Sequence, residues 1–68
     1  MTLKFLIECG LIDMSYDIVI ANTPDGNIHY TAENINNSPY LNQEVRVIRP
    51  RVDMHGDTYY RIILKEVN

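Results

Sequence analysis

A chain of 68 residues, 46% hydrophobic and 22% charged, can bury one small core, and this composition is that of a globular rather than a disordered chain. A formal net charge of −3 weakens the case for tight phosphate binding. The single cysteine, Cys9, excludes an internal disulfide framework and makes a reduced, cytoplasmic setting the expectation.

Residues 2–12 carry two periodicities. At helical spacing Leu3, Leu6, Ile7 and Leu11 form one apolar stripe, with Lys4 and Glu8 four apart on another side. Thr2 suits an N-cap, and Gly10 suits a glycine-stopped helix end. At strand spacing Leu3, Phe5, Ile7 and Cys9 also alternate with polar residues. The capping signals favour a short helix, with Cys9 a small buried hydrophobe. Tyr16–Ala21 reads as a strand, Asn22–Asn27 as turn chemistry, and Ile28–Thr31 as the returning strand. Pro24 fits the first central turn position and Gly26 a positive φ. From Ala32 to Gln43 the chain is polar and Asn-rich, with Ser38-Pro39 in its middle. A loop holding one helical turn is expected there, with Tyr40 pinning it to the core.

Residues 44–66 then form a long hairpin about His55-Gly56, flanked by Asp53 and Asp57. Placing Asp53 opposite Thr58 sets Val47 against Leu64, Ile48 against Ile63, Pro50 against Arg61 and Val52 against Tyr59, with Val45 beside Glu66. Apolar residues then fall on both faces, which requires either a cover on each face or a bulge midway. Pro50 points to an edge strand or to that bulge. A long edge strand invites pairing, so a homodimer through an edge strand or an exposed sheet face is a further expectation.

The expected fold class is α+β: a single small domain, residues 1–68, with a short N-terminal helix packed on a small antiparallel sheet of two hairpins. The alternative is an all-β five-stranded barrel with residues 3–9 as its first strand. Residues 1–43 carry Lys4 against five acids, whereas Arg46, Arg49, Arg51, Arg61 and Lys65 face four acids in residues 44–68. Interleaved acids predict that the arginines pair across strands with Glu44, Asp53, Asp57 and Glu66. Arg46, Arg49, Arg51 and Arg61, interleaved with Tyr59 and Tyr60, also suit a protein interface, since both residue types concentrate in binding hot spots. A base-stacking, phosphate-contacting surface is the alternative use. The partner-binding candidates are therefore Arg46, Arg49, Arg51, Tyr59 and Arg61.

His29, His55 and Cys9 lack the spacing of a zinc site, so no metal or cofactor is expected. His55 reads as a turn residue and His29 as a strand residue. Asp13 with Asp17 and Asp53 with Asp57 flank turns, and Ser15 and Ser38 lack a nucleophile's strand–turn–helix setting. No enzymatic activity is expected. No membrane span is expected either.

Thr2, Leu3, Leu6, Ile7 and Glu8, then Asp17-Ile18-Val19-Ile20, then Asp25-Gly26-Asn27 resemble a loose group of small phage- and mobile-element-encoded accessory proteins. The match covers roughly the first 30 residues, and the arginine-bearing hairpin departs from that group's short acidic ending. The resemblance implies a helix on a small antiparallel sheet and a non-enzymatic protein that binds and inhibits or modulates another protein. Anti-CRISPR inhibitors are among the group's possibilities.

Overall fold

The computed structural model describes residues 1–66, and the first of them form a helix, α1 (Leu3–Glu8). Both capping signals act. Thr2 Oγ1 accepts from the Phe5 N–H at 3.1 Å. At the other end Gly10 takes φ +76°, its N–H donates to Ile7 O, and the Leu11 N–H donates to Leu6 O. That is a Schellman end, which a residue with a Cβ forms only under strain. The reversal at Gly10 also decides which residue follows the apolar stripe inward. Ile12 is 2% exposed, whereas Leu11, expected in the stripe, is 61% exposed. Cys9 sits at the helix C-cap and is exposed rather than buried.

Four strands follow: β1 (Asp17–Thr23), β2 (Gly26–Tyr30), β3 (Val45–Val52) and β4 (Thr58–Leu64). They lie in the order β2-β1-β4-β3. Each hairpin is antiparallel, as expected, but the seam between them is a parallel β1–β4 ladder running from Asp17↔Tyr59 to Ile20↔Ile62. The sheet is therefore mixed, and it is open rather than closed into a barrel. The cause lies in the connection, because the chain between β2 and β3 carries β3 past the sheet to the far edge. β4 then returns beside β1 in the same direction. The two inner strands carry the buried centre, Ile18, Ile20 and Ile62, all fully inaccessible.

One face of the sheet holds the core. Leu3 and Leu6 from α1, with Ile12, pack on Ile18, Ile20, Ile62 and Leu64. The polar loop contributes more than its composition implies. Its 3-10 turn (Ile35–Asn37) buries Ile35 completely, and Tyr40 and Leu41 pack against the same core. Tyr40 thus pins its loop. That loop also holds the N-terminal segment, through Lys4 N–H to Leu41 O at 2.8 Å and Leu3 N–H to Gln43 O at 3.2 Å.

Two side chains replace missing ladder bonds. Regular β1–β4 pairing stops at Ile20↔Ile62. Beyond it the Asn22 amide donates to Leu64 O at 2.8 Å and accepts from the Leu64 N–H at 2.9 Å. It satisfies a donor and an acceptor that a sheet interior cannot leave open. In the first turn Thr23 pairs with Gly26, whose φ is +88°. Thr23 Oγ1 accepts from the Asp25 N–H and donates to Gly26 O.

The long hairpin departs from its expected register by one residue. Val52 pairs with Thr58, Arg51 with Tyr59, Pro50 with Tyr60, Arg49 with Arg61, Ile48 with Ile62 and Val47 with Ile63. The turn sets this shift. The Asp53 N–H donates to Asp57 O at 2.9 Å, and Asp53 Oδ1 accepts from the N–H groups of both His55 and Asp57. Gly56, at φ +84°, closes the three-residue loop. Asp53 therefore lies opposite Asp57 rather than Thr58. A bulge does occur, between Val45 and Val47, and it brings Val45 opposite Leu64 instead of Glu66. Pro50 lies within the regular ladder of an edge strand, not in the bulge.

Candidate functional site

The residues opposite the core form an uncovered sheet face. Side chains alternate across a strand, so the partners of buried Ile18, Ile20 and Ile62 fix which residues point away. One cross-sheet row runs His29, Val19, Arg61, Arg49; the next runs Asp17, Tyr59, Arg51. Val47 and Ile63 form a further pair on the same side. None of these residues belongs to the core cluster among the described residues.

Four of the five expected partner-binding residues therefore meet on one surface: Arg49, Arg51, Tyr59 and Arg61. Arg46 does not join them in register, because it is the extra residue of the bulge between Val45 and Val47, although it is exposed. The one-residue shift of the hairpin is what gathers the other four. In the expected register Arg49 would have stood opposite core residue Ile62, dividing the arginines between two faces.

The expected cross-strand ion pairs are absent among the described residues. The ion pairs found there are Met1 amine with Glu44 and Lys4 with Glu8, and His29 shares a hydrogen bond with Asp17. Glu44 is occupied by the N-terminal amine at 2.7 Å. That hydrogen bond and its charge hold the Glu44 carboxyl below the usual carboxylate range, with a smaller contribution from Lys65. Asp53 is committed to its own turn. Arg49 and Arg61 are thus direct cross-strand neighbours with no carboxylate of the described residues within ion-pair distance. Like charges directly opposite one another destabilise a sheet.

Beside Tyr59 the face dips into an open depression of about 640 Å³, walled by Tyr16, Asp17, His29, Asp53 and Asp57, with Ser15 at its rim. It brings Ser, His and Asp into one place, yet not into a nucleophilic relay. His29 Nε2 lies 2.8 Å from Asp17 Oδ2, with both side chains largely open to water at 61% and 45% exposure. The Ser15 hydroxyl donates to Asp13 Oδ1 at 2.7 Å, and the Ser15 N–H donates to the same oxygen. Those two bonds, the backbone one first, hold the Asp13 carboxyl below its ordinary range. Ser15 is therefore held by a weakly basic, ionised carboxylate, not by a base strong enough to take its proton. No group of three or more metal-ligating side chains occurs among the described residues.

Sequence reasoning missed Asn22, Ile12 and Ile35. An Asn just past the expected strand and an isoleucine in each polar stretch were available signals, but none distinguishes a residue that joins the sheet or core from one that faces water without the fold. No described helix is long and apolar enough to cross a membrane. No family model, curated protein or solved structure matches the chain.

Proposed function

We propose that this is a non-enzymatic binding protein whose open sheet face docks on an acidic surface of another protein and inhibits or modulates it. The observation that carries this reading is the Arg49–Arg61 neighbour pair, which no carboxylate among the described residues neutralises, on a molecule that is itself acidic. An arrangement that costs stability in the free protein and has acids available elsewhere in the chain is repaid when a partner supplies the counter-charge. Tyr59 and half-buried Val19, Val47 and Ile63 add apolar area at the centre, the usual composition of an interface core. The resemblance to phage and mobile-element accessory proteins directs the search for that partner toward host-defence nucleases, as an anti-CRISPR protein would act. A cytoplasmic site of action goes with that reading.

Nucleic acid is the second reading, favoured by one feature: Tyr59 lies on an inner strand with Arg51 directly opposite, a stacking ring beside a phosphate contact. Asp17 stands on Tyr59's other side, so the phosphate track is interrupted by a repelling charge. We therefore prefer a protein.

The test is capture of tagged protein from a bacterial lysate, with and without nuclease, run beside the Arg49→Glu/Arg51→Glu/Arg61→Glu variant. A stoichiometric protein that survives nuclease and is lost with the variant supports the proposal. Capture that the variant retains removes this face as the site. Capture that vanishes with nuclease, and with rising salt, transfers the face to nucleic acid.

A further inference from the structure

The two edges of the sheet are unlike. The β3 edge is closed several times over. Its beginning is covered by the N-terminal segment, since the Val45 N–H donates to Met1 O at 2.8 Å and Thr2 bridges Glu44. The bulge at Arg46 follows, and Arg49 and Arg51 add charge. Pro50 pairs in regular register with Tyr60, so its nitrogen, which carries no proton to give β4, lies on the outer side and leaves a gap in the donors there. Bulges, proline and charge are the ordinary means of blunting an edge.

The β2 edge has no such cover, proline or fixed charge, and the one irregularity of its ladder lies between Ile20 and Thr23, on the inner strand β1. Gly26–Tyr30 contains no proline and no Lys, Arg, Asp or Glu, and residues 28–30 pair with β1 without a bulge. Among the described residues, no backbone hydrogen bond from outside the hairpin reaches β2, and Gly26 O alone takes a side-chain bond, from Thr23. Alternate N–H and C=O groups of this strand face outward, and the ligand they recognise is another extended strand.

We propose that this strand comes from a second copy of the chain, pairing antiparallel with β2 about a two-fold axis centred on Ile28. An isologous contact sets a patch against itself, so fixed charges on β2 would gather beside their own kind; β2 carries no Lys, Arg, Asp or Glu. In this register Asn27 stands opposite His29 of the partner subunit, and Gly26 stands opposite Tyr30 of the partner subunit. The half-buried Ile28 side chains meet at the axis. The axis is normal to the sheet, so the two open faces look the same way and two arginine rows share one surface. Five residues of edge make a small interface, and association is weak and concentration-dependent. This inference does not depend on what the arginine face binds.

The experiment is sedimentation of the full chain from micromolar to millimolar concentration, with amide exchange read residue by residue at both ends of that range. The apparent mass should rise toward twice the monomer, and exchange should slow at alternate residues of β2 as it does so. The variant Asn27→Lys/His29→Lys sets like charges opposite each other twice in the proposed register and should stay monomeric over the same range. A wild-type monomer at millimolar concentration overturns the proposal. So does an oligomer whose protection falls on β3 or on the open face, or one that survives in a folded double variant. If the double variant fails to fold, the wild-type exchange pattern alone decides.

Discussion

The two hairpins are built to similar plans, each with a glycine at positive φ in its turn, yet they handle polar groups in opposite ways. In β1–β2 the polar side chains are consumed internally: His29 on Asp17, Asn22 on Leu64, Thr23 on its own turn. In β3–β4 the turn is equally well satisfied, but beyond it Arg49 meets Arg61 rather than any carboxylate of the described residues. The backbone edges reverse the pattern, since the first hairpin leaves its outer strand bare and the second closes it. The comparison teaches that unsatisfied groups are sorted by kind. Free hydrogen-bonding backbone lies at one edge, and free charge lies on one face near the other.

The largest test concerns which side of β4 is core. Ile62→Ala removes a fully buried side chain from an inner strand and should cost about 2–5 kcal/mol in denaturant unfolding, enough to unfold much of a domain this small. Val47→Ala on the open face should cost about 1 kcal/mol or less. Equal losses would mean that the open face is packed as a second core, and the proposed interface would go with it.

Asn22→Ala comes next. It leaves the Leu64 N–H and C=O without their bonds and should cost about 1–3 kcal/mol. Faster exchange should appear at Leu64 while the β1–β2 turn is undisturbed. Gly56→Ala should cost about 1 kcal/mol, because φ is +84° while the space around an added Cβ is free. Its effect belongs to the β3–β4 turn and should leave the amides of β2 unchanged.

Acid acts on the clamp at the start of β3. Glu44 titrates below its unfolded value in the native protein. The stability it contributes is therefore fully present above the ordinary glutamate range and is lost as pH falls through the lowered native value. Glu44→Gln should flatten that part of the acid-unfolding curve. A curve identical to wild type would mean that the ammonium contact contributes nothing in solution.

Much of the fold was legible in the sequence because it rests on local chemistry. Thr2, Gly10, Gly26 and Tyr16–Ala21 each specify their own conformation, and the helix and both hairpins follow. What failed depends on non-local geometry. The parallel seam arises from where the loop delivers β3, and no dipeptide records that. The register of the second hairpin turned on whether Asp53 caps a three-residue loop or a longer one. That single choice separated Arg49 from Arg61 on paper and joined them in the structure. The candidate residues were chosen by type alone; that all but Arg46 share one face, and that no described carboxylate pairs with Arg49 or Arg61, was not legible in the sequence. Ion pairing was expected because acids and bases alternate in sequence; two of those acids, Asp53 and Glu44, are used instead by the turn and the N-terminal amine.

Arg49→Glu is the smallest change and the one that bears most directly on that lack of partners. It would put a carboxylate opposite Arg61, replacing a repulsive cross-strand pair by an attractive one, with an expected gain of about 0.2–1 kcal/mol. Salt should shrink the gain, since both side chains border solvent and are screened within a Debye length. Partner capture should fall at the same time, so stability and binding would move in opposite directions. A merely solvated arginine face would give a gain with no change in capture. A loss of stability would mean that Arg49 already has a favourable neighbour, and the argument from unneutralised charge would fall with it. Restoring capture in Arg49→Lys, which keeps the charge but not the planar fork, would show that the partner reads charge alone; failure to restore it would point to a carboxylate held in two-point contact.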